Sequence, residues 1–119
     1  MSGPKRDPSK PNSRAHRDGK GGLVKLPAAG CDLPVPNLPR GRDWSEQEQE
    51  TWETIWSSPQ ATQYDDTFVP AVAAYVVHAS AIYSGTANAW SAAEFRYMGD
   101  KLGLTPAGLL ALNWRIEEE

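Results

Sequence analysis

The sequence predicts an all-α protein: a small domain of about four helices that includes a helical hairpin, preceded by a disordered basic arm and ending in a possible short C-terminal strand. Three observations lead there. Apolar residues recur at helical spacing from residue 44 onward, and each apolar run is bracketed by residues that start or stop helices. Seven of the ten Pro and six of the ten Gly fall within residues 1–43, which show no periodicity of their own. The charges divide at the same place: residues 1–43 hold nine Lys or Arg against four Asp, and residues 44–119 hold three basic residues against eleven acidic ones. With 119 residues, 39% of them hydrophobic, the chain has material for one modest core.

The segment 1–43 reads as a flexible basic arm. Its extended-looking run Leu33-Pro34-Val35-Pro36-Asn37-Leu38-Pro39 suits neither a helix nor a central strand. Leu23, Val24, Leu26, Leu33, Val35 and Leu38 make its second half less polar than its first, so that half is expected to lie along the body as a strap. The body, residues 44–119, opens at Trp44. Ser45 and Glu48 have capping-box spacing, and Trp52, Ile55 and Trp56 share one helical face, which places a first helix at about 45–57 with an acidic outer face of Glu46, Glu48, Glu50 and Glu53. Ser58-Pro59 then opens a short helical turn through Gln60, Ala61 and Tyr64.

A second helix is expected from a cap at Asp65 or Asp66 to about Ser84, with Pro70 in its first turn and Gly85 as its stop. Its large apolar residues are interleaved with five alanines and leave almost no polar face, and a helix apolar all round must be covered all round. A domain of this size covers one side well, so Val69, Ala73, Val76, Val77 and Ala81 are candidates for a contact between subunits; a helix wholly wrapped within the monomer is the alternative. Ser91 and Glu94 form a second capping-box pattern for a third helix that ends at Leu102 and Gly103, with Phe95, Met98 and Leu102 inward. Thr105-Pro106 starts a short fourth helix, Ala107 to Leu112, so that helices three and four form a hairpin or an angled pair. Beyond it, Leu112, Trp114 and Ile116 alternate with polar residues at a period of two, which permits the terminal strand.

Catalytic constellations are missing from the sequence. His16 lies in the arm and His78 in the apolar helix, where a partly buried structural role fits it, and no metal-binding spacing or nucleophile with a base is present. Gly19-Lys20-Gly21-Gly22 follows no apolar strand and lacks phosphate-loop spacing. Asp65 and Asp66 suit a helix N-terminus better than a Mg2+ site. Cys31 is the sole cysteine and excludes an internal disulfide. The stretch Val69 to Tyr83 is too short to span a bilayer and contains Pro70 and His78, and the polar start Met1 to Asn12 has no apolar signal core. No enzyme activity, cofactor, metal or membrane partner is therefore expected. The chemistry on offer is that of the arm: Lys5, Arg6, Lys10, Arg14, Arg17, Lys20, Lys25, Arg40 and Arg42 can follow a phosphate backbone, with binding driven by counterion release. The arm has no aromatic residue for stacking on single strands, so duplex DNA is the expected target.

The run Glu94-Phe95-Arg96-Tyr97-Met98-Gly99-Asp100-Lys101-Leu102-Gly103-Leu104-Thr105-Pro106, followed by Leu109, Leu112 and Trp114, resembles the C-terminal signature of small terminase subunits from tailed bacteriophages, especially phages of actinobacteria. Trp52, Trp56 and the turn Pro59-Gln60-Ala61 extend the resemblance toward the start of the body, so that it covers roughly residues 26–116. It implies a non-catalytic component of viral genome packaging in the cytoplasm of the infected bacterial host. Such a component forms a homo-oligomeric ring, binds viral duplex DNA at the packaging start and regulates the ATPase and nuclease of the large terminase subunit. Many small terminases carry an N-terminal helix-turn-helix for DNA, which residues 1–43 cannot form. The alternative from another class is a helical adaptor that binds only protein partners through its acidic body and basic arm.

Overall fold

The computed structural model describes residues 22–118. Within them the element order is β1 (Val24–Leu26), α1 (Glu46–Trp56), a 3-10 turn (Pro59–Gln63), α2 (Phe68–Tyr83), α3 (Ala89–Lys101), α4 (Pro106–Leu112) and β2 (Trp114–Ile116). The fold is thus mostly helical with a short terminal strand, as the spacing predicts.

Local chemistry explains most boundaries. The Ser45 hydroxyl accepts from the Glu48 amide (3.1 Å) and the Glu48 carboxylate accepts from the Ser45 amide (2.9 Å), completing the capping box that opens α1. Thr105 caps α4 by accepting from the Gly108 amide (2.9 Å), with Pro106 at the first helical position. Between α3 and α4, Gly103 turns the chain at φ +73°, where a Cβ would also strike the Trp114 ring. Gly108 lets the two helices cross: an added Cβ would lie 2.4 Å from the Asp100 carbonyl oxygen.

Two helix starts differ from the sequence reading. α2 begins at Phe68 rather than directly after an aspartate cap: the Asp65 carboxylate turns back onto the amide and hydroxyl of Thr67, and the amides of Phe68 and Val69 bond to the carbonyls of Asp65 and Asp66. α3 begins at Ala89, not Ser91. The Asn88 side chain accepts from the Ser91 amide (2.7 Å) and is the cap. Ser91 sits inside the helix, buried, with its hydroxyl 2.7 Å from His78 Nδ1 on α2. That bond joins α2 to α3 and takes the hydroxyl away from any capping role.

The core lies between α1 and α2, where Trp52, Ile55, Trp56, Ala61, Val72, Ala73, Val76 and Leu102 form one buried cluster. An aromatic row lines it: Trp52 tilts against Trp56, Trp56 meets Tyr64 edge-on, and Tyr64 stacks on Phe68 at 4.5 Å. Buried polar groups at its rim are bonded across elements. Gln60 donates to the Gly103 carbonyl (2.9 Å) and Tyr64 to the Leu102 carbonyl (2.7 Å), so the 3-10 turn satisfies orphan carbonyls at the end of α3. α3 packs on another side of α2, with Tyr75 and Phe95 stacked at 4.7 Å.

Residues 22–43 run along these helices. β1 pairs with β2 in parallel, Val24 opposite Trp114, Lys25 opposite Arg115 and Leu26 opposite Ile116. Leu26 is completely buried, and Cys31 and Leu38 pack on the core cluster, while Leu23, Leu33 and Val35 stay exposed. Trp52 donates to the Pro36 carbonyl (2.7 Å) and Trp44 to the Pro39 carbonyl (2.9 Å). Those acceptors are three residues apart in the proline run, so two indoles fix it at two points, one just before α1 and one within it.

Candidate nucleic-acid and assembly surfaces

Of the nine basic residues proposed for DNA, Lys25, Arg40 and Arg42 are described, and Lys5, Arg6, Lys10, Arg14, Arg17 and Lys20 lie outside the described residues. Lys25 is exposed at the centre of β1. Its partner in the ladder is Arg115, also exposed, and directly paired residues point to the same face of a sheet. Two like charges face each other there at some cost to folding, which an anion between them would relieve. Asn113, held in the left-handed conformation at φ +63°, donates to the Gly22 carbonyl (2.9 Å) and so ties the residue before β1 to the end of α4 beside this pair.

Arg40 is exposed. Arg42 is tied to the body: its guanidinium lies 4.2 Å over the Trp44 ring and reaches both oxygens of Glu48 at 3.3 Å. Glu48 is the same carboxylate that completes the α1 capping box, so Arg42 and the helix start share one acceptor. In the sequence Arg115 stands within the acidic body, far from the basic arm, and only the alternation around Trp114 marks it as outward.

Among the five residues proposed for a subunit contact, Ala73 and Val76 belong to the chain's own core, Val69 packs on its margin, Ala81 is half-buried and Val77 is 38% exposed. The outward side of α2 is therefore the line Pro70, Ala74, Val77 and Ala81, on a helix with no charged residue along its length. The sequence reading did not single out Trp90 and Tyr97 on α3, which are 65% and 58% exposed, although helical spacing opposite the Phe95, Met98 and Leu102 face marks them.

His78 bridges to Ser91 and meets the Trp90 ring edge-on at 5.5 Å, which accounts for it structurally. Burial, reinforced by the neighbouring Tyr75, pushes the Tyr64 hydroxyl far above the usual tyrosine range, and burial with Tyr83 nearby raises Tyr75. Both therefore stay neutral at physiological pH, and Tyr64 remains the donor to the Leu102 carbonyl. Among the described residues no group of three or more His, Cys, Asp or Glu is placed to hold a metal ion, and no helix is long and apolar enough to cross a membrane.

Comparison with curated proteins found no match, and neither did comparison with solved structures. A family model described as phage terminase small subunit matches residues 1–119, the whole chain. The chain therefore belongs to the phage terminase small subunit family, whose role lies in packaging the phage genome.

Proposed function

We propose that this protein is the non-catalytic DNA-binding and regulatory subunit of a packaging motor: it assembles into a homo-oligomeric ring, holds viral duplex DNA through its basic arm and controls the ATPase and nuclease of a large terminase subunit. The observation that carries the DNA contact is the pairing of Lys25 with Arg115 on one face of the sheet, next to Gly22, which Asn113 holds in place. Lys25 of the arm and Arg115 of the body thus form one exposed pair of cations next in sequence to the six of residues 1–21, while the body as a whole is acidic. Phosphates entering that corner gain from both. The ring is supported by the outward line of α2, where Val77 and Ala81 offer an uncharged apolar surface to a neighbour.

A salt titration of duplex binding tests the DNA contact. With six phosphate contacts from the arm, affinity should fall about a thousandfold between 50 and 200 mM salt, and each Lys or Arg removed should lower the log-log slope by about 0.9. Neutralising Lys5, Arg6, Lys10, Arg14, Arg17 and Lys20 together should abolish most of that dependence. Equal, salt-insensitive binding by wild type and variant would leave the adaptor reading, in which only proteins are bound. Val77→Asp should dissociate the ring in native mass spectrometry with helicity retained. Adding the protein to a large terminase subunit should change that partner's ATPase rate.

A further inference from the structure

On α3, Trp90, Glu94, Tyr97 and Lys101 follow one another at intervals of four, three and four residues. That is the spacing of consecutive d and a positions in a heptad, so the four form one seam along the helix. Trp90 and Tyr97 are largely exposed, Lys101 is exposed and Glu94 is half-buried. Ser91, Phe95 and Gly99, which meet His78 and Tyr75 of α2, occupy the other side of α3. Trp90 touches α2 through the edge of His78 while staying largely exposed, and from there the seam runs along the side of α3 that Ser91, Phe95 and Gly99 leave open.

We propose that this seam is a two-fold contact between copies of the chain, in which two α3 helices pack antiparallel. The seam is symmetric about its midpoint between Glu94 and Tyr97, as an isologous contact requires. Antiparallel pairing about that point sets Trp90 against Lys101 of the second copy and Glu94 against its Tyr97, twice each. Every facing pair is complementary. The Lys101 ammonium, already 5.3 Å from the centre of its own Tyr97 ring, gains the face of a second aromatic, and the Glu94 carboxylate gains a phenol donor. A parallel pair would instead face Glu94 with Glu94 and Lys101 with Lys101, so charge alone selects the antiparallel arrangement. This contact goes beyond the ring: rings closed through α2 and joined through α3 would have dihedral symmetry.

The test is disulfide trapping in the full-length chain with Cys31→Ser as background. Glu94→Cys and Tyr97→Cys are made in separate chains, mixed and mildly oxidised, because a disulfide forms only where Cα atoms come within about 7 Å. The expected result is a covalent heterodimer enriched over the homodimers of either variant alone and identified by its mass, because only facing residues meet the disulfide geometry. No enrichment in the mixture overturns the proposal. As a second measurement, Lys101→Glu should weaken self-association through α3 roughly five- to thirtyfold, since two cation–π contacts are lost, with the circular dichroism spectrum unchanged. Unchanged association would equally overturn it. Native mass spectrometry of the wild type reports the ring separately: rings without the 94–97 cross-link sink the seam alone, and cross-linked pairs without rings sink the α2 reading alone.

Discussion

Leu26→Ala tests whether the strap of residues 22–43 is part of the core. Leu26 ends β1 with no exposed surface. Truncating it removes buried hydrocarbon and leaves a cavity, a change that costs about 2–5 kcal/mol in well-packed cores. The polar contacts of the strap, Trp52 to Pro36 and Trp44 to Pro39, each contribute about 1 kcal/mol net, so Leu26 is its largest single anchor. For a domain of roughly 100 residues, 1 kcal/mol moves the melting midpoint by about 4–8 °C. Leu26→Ala is therefore expected to lower Tm by at least about 8 °C, while deletion of residues 1–21 changes it by no more than about 4 °C, the range of surface changes. Duplex binding should respond in the opposite order, lost with the deletion and retained, with the same salt slope, by Leu26→Ala measured below its midpoint. Differential scanning fluorimetry and a gel-shift series read both. A Leu26→Ala protein that melts with the wild type would refute the claim that the strap is part of the core, and a deletion that melts early would refute the expectation that residues 1–21 add little to stability.

Three further outcomes follow from single contacts. Gly108→Ala should destabilise by about 1–3 kcal/mol in urea despite the better helix propensity of alanine, because its Cβ would press on the Asp100 backbone; a stabilised variant would show that α3 and α4 separate freely. Asn88→Ala should cost about 1 kcal/mol, whereas Glu94→Gln should cost less than about 0.5 kcal/mol, and the reverse order would restore Ser91 as the cap. Tyr64 has its folded pKa raised by burial, so the stability it contributes is complete below the unfolded value near 10 and is lost as pH rises beyond it, at up to about 1.4 kcal/mol per pH unit. Tyr75 acts in the same direction. Urea midpoints from pH 8 to 11 should therefore fall more steeply in the wild type than in Tyr64→Phe, and parallel profiles would contradict this.

Much of the fold is legible in the sequence because it rests on interactions within one or two turns. The Ser45 and Glu48 box, the Thr105-Pro106 start and the left-handed stop at Gly103 involve partners a few residues apart, and each was readable from residue type and spacing. The family resemblance rests on the same local punctuation together with Trp52 and Trp56. Chain order does not contain the competition between distant groups. Asn88 and Ser91 are both good caps, and the choice falls to Asn88 once His78, on another helix, holds the Ser91 hydroxyl. The period of two around Trp114 marks a strand, but its parallel partner comes from the opposite end of the described chain, and that pairing also sets Lys25 beside Arg115. α2 has no polar side, so its sequence could not say which apolar side faces inward; packing on α1 and α3 takes Ala73 and Val76 and leaves Val77 outside. A helix with a polar face carries its orientation in its own residues, whereas a uniformly apolar one receives it from its neighbours.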